Sequence, residues 1–174
     1  MQQISVLIDE QTIAARVREL GKQISNAHRG HEVVLVPVLK GSYVFAADLA
    51  RAIDLPVTLD FLACRSYGES METSGVVQIT SDLTHPVEGK DVIIVEDIVD
   101  TGLTMQYLLT NLATRKPRSI SVASLLHKPA RARVQIKIDY LGFTIEDVFV
   151  VGYGLDFAER HRNLPYIGVM GKSE

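Results

Sequence analysis

Ile13, Val17, Leu20 and Ile24 recur three or four residues apart, the period of a helix with one apolar face. Asp9 precedes them as a candidate N-cap, so the pattern predicts a helix from Asp9 to about His28, with Gly30 as its stop. Beyond it the period is lost. Val33 to Leu39 is a short, nearly continuous apolar run, and Asp91 to Glu96 is another. Such runs predict strands buried on both faces. Val57 to Ala63 and Ser119 to Leu126 read as further strands, and Val76 to Thr80 as a strand returning from a polar segment. Gly41-Ser42 turns into a helix ending near Arg51, and Met105 to Arg115 predicts another, ended before Pro117. After Lys137 short β segments are expected, followed by GLDFAERHRNLPYIGV. Apolar strands alternating with helices predict an α/β fold with a mostly parallel sheet. Ligands of such sheets bind outside the carboxyl ends of the strands, which directs attention to those loops.

Composition narrows the setting. The 174 residues predict one domain, 1–174, long enough to bury a core without disulfides or metal. A net charge of -3 gives no reason to expect non-specific nucleic-acid binding. Cys64 is the one cysteine, so no disulfide forms within the chain, which fits a reducing compartment. The start MQQISVLIDEQ lacks a basic stretch followed by an apolar run, and no apolar stretch is long enough for a membrane span. A soluble cytoplasmic protein is expected. The chain has no long linker, low-complexity run or internal repeat.

Chemistry concentrates in VEDIVDTGLT, Val95 to Thr104. A buried strand ends in two acids, Glu96 and Asp97, and Asp100 follows before a small, hydroxyl-rich turn into a helix. Backbone N–H groups at such a turn bind anions. Thr101 and Thr104 add hydroxyl donors, and Gly102 lets the chain approach a phosphate closely. The acids repel a phosphate unless the ligand also brings sugar hydroxyls and a divalent cation, both of which carboxylates accept. The loop therefore suits a sugar 5-phosphate with a free vicinal diol. The alternative is a surface loop whose acids only cap the next helix. A Walker P-loop is excluded, because no G-x-x-x-x-G-K-[ST] occurs. A phospho-acceptor receiver domain fits the glycine turn and second threonine less well. The histidines show no zinc-site spacing.

VEDIVDTGLT resembles the phosphoribosyl pyrophosphate signature of type I phosphoribosyltransferases. LKGS (Leu39 to Ser42), RSYG (Arg65 to Gly68), SLLHK (Ser124 to Lys128) and FVVGYGLDFAERHRNLPYIG (Phe149 to Gly168) follow the order and spacing of the hypoxanthine-guanine branch. The resemblance implies the type I fold: a mostly parallel central sheet flanked by helices, a small hood and a flexible lid loop. Residues 66–75, polar, with Gly68 and Gly75 near the two ends and no apolar periodicity, read as that mobile loop, the alternative being a hairpin tip with no role. It implies Mg²⁺-dependent transfer of 5-phosphoribosyl from phosphoribosyl pyrophosphate to hypoxanthine or guanine, giving IMP or GMP and pyrophosphate. The implied partners are these small molecules and further copies of the chain, as a homodimer or homotetramer, with neither nucleic acid nor membrane.

The same resemblance assigns roles. Glu96 and Asp97 bind the ribose hydroxyls and help place Mg²⁺. Asp100, Thr101, Gly102, Leu103 and Thr104 cradle the 5-phosphate, with Asp100 also beside the purine imidazole as the candidate general base. Lys40 and Gly41 form the pyrophosphate loop, which in this family often holds a non-proline cis peptide. Ser66 and Tyr67 cover the pyrophosphate from the lid. Lys128 approaches the 6-oxo group, Phe149 stacks on the base and the Val150 backbone reads its edge. Asp156 serves the pyrophosphate-bound Mg²⁺, and Arg162 contacts pyrophosphate. Leu103 stands where some relatives carry lysine, and Val148 is apolar where a basic residue is common. Taken alone, Lys128 reads as a surface lysine, Phe149 as core, Asp156 as a solvated acid and Arg162 as part of a solvated basic stretch. A different class on the same fold, a phosphoribosyl pyrophosphate sensor that binds nucleic acid, is the rival reading. So is an enzyme for another base, although Lys128 and the VVGYGLD segment favour 6-oxopurines.

Overall fold

Alternation inside the apolar runs decides which helix covers which face of the sheet. In a computed structural model that describes residues 4–67 and 76–171, the elements are β1 (Ile4–Ile8), α1 (Glu10–Ala27), β2 (Val33–Leu39), α2 (Tyr43–Ala52), β3 (Val57–Leu59), β4 (Leu62–Tyr67) and β5 (Val76–Ser81). There follow β6 (Asp91–Val99), α3 (Leu103–Ala113), β7 (Ser119–His127), a 3₁₀ turn (Pro129–Arg131), β8 (Tyr140–Thr144), β9 (Val150–Val151) and β10 (Ile167–Met170). Val33 and Leu35 of β2, with Ile93 and Val95 of β6, pack against α1 and α2. Their neighbours Val34, Val36, Val92 and Ile94 pack on the other face with Met105, Leu108 and Leu112 of α3. Side chains two apart share a face, so each apolar run feeds two cores at once.

The main sheet runs β5-β4-β2-β6-β7-β8, with β3 also paired to β2. Every pairing is parallel except β4 with β5. A second sheet, β1-β10-β9, is antiparallel and forms the hood. The fold is the mostly parallel α/β arrangement expected. Helix α1 starts as predicted: Asp9 accepts the Thr12 backbone N–H at 2.8 Å. Its buried stripe, Ile13, Val17, Leu20 and Ile24, is the set that carried the pattern. Each such side chain, fully buried, contributes about 1.5–3 kcal/mol.

Three elements differ from the sequence pattern. Val57 to Ala63 is two strands rather than one. Asp60 is 6% exposed, and its carboxylate accepts the backbone N–H groups of Phe61, Thr84 and His85 at 2.9, 2.8 and 2.9 Å, which bends the chain between β3 and β4. Helix α3 begins at Leu103, not Met105, because Gly102 takes a left-handed conformation (φ 85°) and turns the chain directly into it. Strand β1 has no counterpart in the pattern. Its middle residues are exposed, and its partner β10 lies at the far end of the chain. Among the described residues no helix is long and apolar enough to cross a membrane.

Candidate functional site

Beyond the carboxyl ends of β2 and β6 their loops meet the segment between β9 and β10. Strand β6 delivers Glu96 and Asp97 there, and the turn after it delivers Asp100, Thr101 and Gly102. A small hollow of about 80 Å³ is lined by Glu96, Asp100, Thr101, Gly102 and Thr104, among others. Since α3 starts at Leu103, its first-turn N–H groups have no partner within the helix. This is the geometry of an anion site. Gly102 has a second reason to be glycine: an added Cβ would lie 2.6 Å from the Val134 carbonyl oxygen. The turn is clamped from outside as well, since the N–H groups of Arg133 and Val134 donate to the Thr101 carbonyl at 2.9 and 3.1 Å.

A wider cleft of about 510 Å³ adjoins this hollow and shares Glu96 and Thr104 with it. Its walls include Lys40, Gly41, Asp97, Asp156 and Arg162. Loop 40–41 comes close to β6: a Cβ on Gly41 would sit 1.6 Å from Asp97 Oδ2. The Leu39–Lys40 peptide is cis, as the resemblance implies. The Lys40 ammonium reaches Glu159 Oε2 at 3.2 Å. Arg162 donates to the Gly154 carbonyl at 2.8 Å and pairs with Asp156 at 2.9 Å, while its Nε is buried without a hydrogen bond. Asp156 also accepts the Glu159 N–H at 2.8 Å. The bends that permit this sit at Ala158, Glu159 and His161, all with positive φ.

The acid pair is under electrostatic load. Burial raises the Glu96 carboxyl well above the ordinary range, and the neighbouring Asp97 carboxylate adds to the shift. Burial raises Asp97 too, against hydrogen bonds from Glu96 and the Ile98 backbone that oppose it. A divalent cation or sugar hydroxyls would relieve both. Among the described residues no three His, Cys, Asp or Glu side chains gather into a cation cage. The arrangement instead fits Mg²⁺, which binds through one or two carboxylates plus substrate phosphates. Glu96 and Asp97 stand together, whereas Asp156 lies on another wall of the cleft, held by Arg162.

Of the residues expected at the base, Asp100 lines the small hollow, while Lys128, Phe149 and Val150 line neither it nor the cleft. Lys128 is 7% exposed, so it is no surface lysine, and its backbone N–H donates to the Val99 carbonyl at 3.1 Å. Phe149 is 54% exposed and meets Phe157 edge-on with ring centroids 5.7 Å apart, so it is not core. Val150 is buried in β9. Asp100 Oδ1 is buried without a hydrogen bond, although Arg131 Nε approaches it to 2.9 Å. Distance makes that an ion pair, while the N–H does not point at the oxygen. Segment 68–75, the bulk of the expected lid, lies outside the described residues, as do the side chains of Ser66 and Tyr67. Cys64 borders the cleft, and burial pushes its thiol up to about 11, a poor nucleophile.

Phe157, Arg131 and Asp147 were not among the expected site residues. Phe157 carried a sequence signal, being an aromatic one residue after Asp156. Arg131 and Asp147 carried none.

Comparison with known proteins follows the same lines. A family model of the phosphoribosyl transferase domain matches residues 4–158. The hypoxanthine-guanine phosphoribosyltransferase of Mycobacterium avium is 49% identical over 172 residues, covering 95% of this chain and 85% of that protein. The hypoxanthine phosphoribosyltransferase of Salmonella typhimurium is 46% identical over 167 residues, covering 95% and 94%. Among solved structures, a hypoxanthine-guanine phosphoribosyltransferase from Bacillus anthracis, with HEPES in its active site, superposes with a TM-score of 0.94 at 44% identity, covering 98% of this chain and 100% of that one.

Proposed function

The chain belongs to the phosphoribosyl transferase domain family, and on that premise we propose that it transfers 5-phosphoribosyl from phosphoribosyl pyrophosphate to hypoxanthine or guanine. The products are IMP or GMP and pyrophosphate. One observation carries the reading: the Glu96–Asp97 pair stands where an anion-binding helix start meets a cleft walled by Lys40 and Arg162. Such a junction suits a ligand with a phosphate at one end, a diol in the middle and a pyrophosphate at the other.

The turn from Asp100 to Thr104 holds the 5-phosphate on backbone N–H groups and the Thr101 and Thr104 hydroxyls. Glu96 and Asp97 accept the ribose hydroxyls. That leaves the anomeric carbon between the cleft and the base group around Lys128. Displacement there builds charge on the departing pyrophosphate, which Lys40, the Gly41 backbone and Arg162 stabilise from fixed positions. Arg162 offers a planar fork suited to phosphate oxygens. Glu96 and Asp97, with Asp156 on the pyrophosphate side, would hold Mg²⁺, which would supply further positive charge for the leaving group. Phe149 stacks on the purine, the Val150 backbone reads its edge, and Asp100 accepts the N7 proton. Lys128 has only donors, so it satisfies a 6-oxo group and opposes the amino group of adenine. Exclusion of water from the oxocarbenium-like centre falls to the lid, with Ser66 and Tyr67 over the pyrophosphate. The expected setting is the cytoplasm. The expected assembly is a homodimer or homotetramer, for which the exposed Leu59 and Phe61 offer apolar surface and which sedimentation measures.

The test is direct turnover with phosphoribosyl pyrophosphate, Mg²⁺ and hypoxanthine, guanine, xanthine, adenine or uracil in turn. Nucleotide should form with the oxopurines only, fail without Mg²⁺, and fall by about 10²–10⁴-fold in Asp100→Asn. Phosphoribosyl pyrophosphate binding without turnover of any base would refute it.

A further inference from the structure

Two groups proposed to read the purine, Asp100 and Lys128, are joined by a pair of residues with no role so far. Lys128 Nζ lies 3.8 Å from Asp147 Oδ1, and Arg131 NH1 lies 3.7 Å from that same oxygen. Arg131 Nε lies 2.9 Å from Asp100 Oδ1. Acid and base therefore alternate from Lys128 through Asp147 and Arg131 to Asp100.

Local structure explains why Arg131 stands there. Residues 129–131 form a 3₁₀ turn with proline in its first positions, and the Arg131 N–H donates to the Lys128 carbonyl at 3.2 Å. The turn brings Arg131 back towards Lys128, and both side chains face the same Asp147 oxygen. The turn is tied to β6 by the Lys128 N–H on Val99 and to the phosphate loop by Arg133 and Val134 on Thr101. Backbone bonds thus hold the segment whether or not the Arg131 guanidinium is present. The guanidinium is about half-exposed and faces the buried Asp100 Oδ1, which has no hydrogen bond.

We infer that Arg131 is a positioning residue for purine transfer: it orients the Asp100 carboxylate and, with Asp147, joins it to Lys128 so that N7 and the 6-oxo group are read by one unit. This rests on the reading of Asp100 and Lys128 given above. Arg131 acts through Asp100 rather than on the purine itself. Its loss therefore falls on the step and the base, not on the binding of phosphoribosyl pyrophosphate.

The experiment compares wild type, Arg131→Gln, Arg131→Lys, Asp100→Asn and the Arg131→Gln/Asp100→Asn double variant. The readouts are kcat, KM for hypoxanthine, KM for phosphoribosyl pyrophosphate, and thermal midpoint. Arg131→Gln should lower kcat by about 10–100-fold, the range for partners that orient a functional group. KM for phosphoribosyl pyrophosphate and the midpoint should stay near wild type, and Arg131→Lys should recover part of the loss. The double variant should be no slower than Asp100→Asn alone, since residues acting as a unit are not additive. Wild-type kcat in Arg131→Gln, losses that add in the double variant, or a raised KM for phosphoribosyl pyrophosphate would each overturn the inference while leaving the function intact. Absence of oxopurine turnover in the wild type would overturn both.

Discussion

Gly41→Ala tests whether the close approach of the pyrophosphate loop to the acid pair matters. The added Cβ would lie 1.6 Å from Asp97 Oδ2 and 2.6 Å from its Cγ. Favourable contact needs about 3.5 Å, so one side must retreat by about 2 Å. If the carboxylate moves, it strains the bond that Asp97 Oδ1 accepts from the Ile98 N–H at 2.7 Å. If the loop moves, Lys40 goes with it. Overpacking of this kind costs about 1–3 kcal/mol of stability. Misplacing reacting groups by about 1 Å costs on the order of 10²-fold in rate. The assay is kcat and KM for phosphoribosyl pyrophosphate with the thermal midpoint alongside. Gly41→Ala should lose about 10²-fold in kcat/KM and several degrees of midpoint. Gly41→Ala with Asp97→Ala removes the clash, so it should regain the midpoint but not the activity. Activity of the single variant within twofold of wild type would refute the claim that this approach sets the site.

Three further outcomes are expected. Lys128→Gln supplies an acceptor as well as donors, so the ratio of hypoxanthine to adenine turnover should fall by at least about tenfold in competition assays. Glu96→Gln removes a carboxyl that burial and the neighbouring Asp97 carboxylate hold well above its ordinary range; that shift costs the fold stability above the unfolded value of about 4.3, so at pH 7 the variant should gain about 0.5–2 kcal/mol in urea unfolding while losing activity. Asp91→Asn should do the reverse, costing about 3 kcal/mol in urea unfolding at pH 7. Hydrogen bonds from Arg118 above all hold Asp91 far below the ordinary carboxylate range, so its contribution is complete above the unfolded value of about 3.9 and disappears as pH falls through the folded one. The gap between wild type and Asp91→Asn should therefore narrow only below about pH 4.

What the sequence shows and what it hides divide along physical lines. Val33 to Leu39 and Asp91 to Glu96 are legible as central strands because burial on both faces leaves only apolar residues. The acids at 96, 97 and 100 are legible because acids closing a buried strand conflict with their surroundings and demand a ligand. Lys128 is legible only through resemblance, since its burial depends on where β7 ends. Arg131 and Asp147 leave no signature, because their meeting depends on the 3₁₀ turn after β7 and on the segment between β8 and β9. The break at Asp60 is hidden for a like reason: its N–H partners Thr84 and His85 lie beyond the next two strands.

The two ends of β6 treat carboxylates in opposite ways. At its start Asp91 is 3% exposed and surrounded by partners: Arg118 binds both oxygens at 2.9 and 2.6 Å, Ser119 donates at 2.6 Å, and His28 and His31 approach at 3.2 and 3.3 Å. Towards its far end burial raises the carboxyls of both Glu96 and Asp97, and just beyond it Asp100 keeps a buried oxygen with no hydrogen bond. The Asp91 cluster ties β6 to β7 and α1, fixing the strand whose carboxyl end carries the site. Unmet demand at that end is a cost to folding that a cation, a diol and a purine proton can offset. A ligand that meets it stabilises the folded chain by binding, which is how one strand serves both as framework and as site.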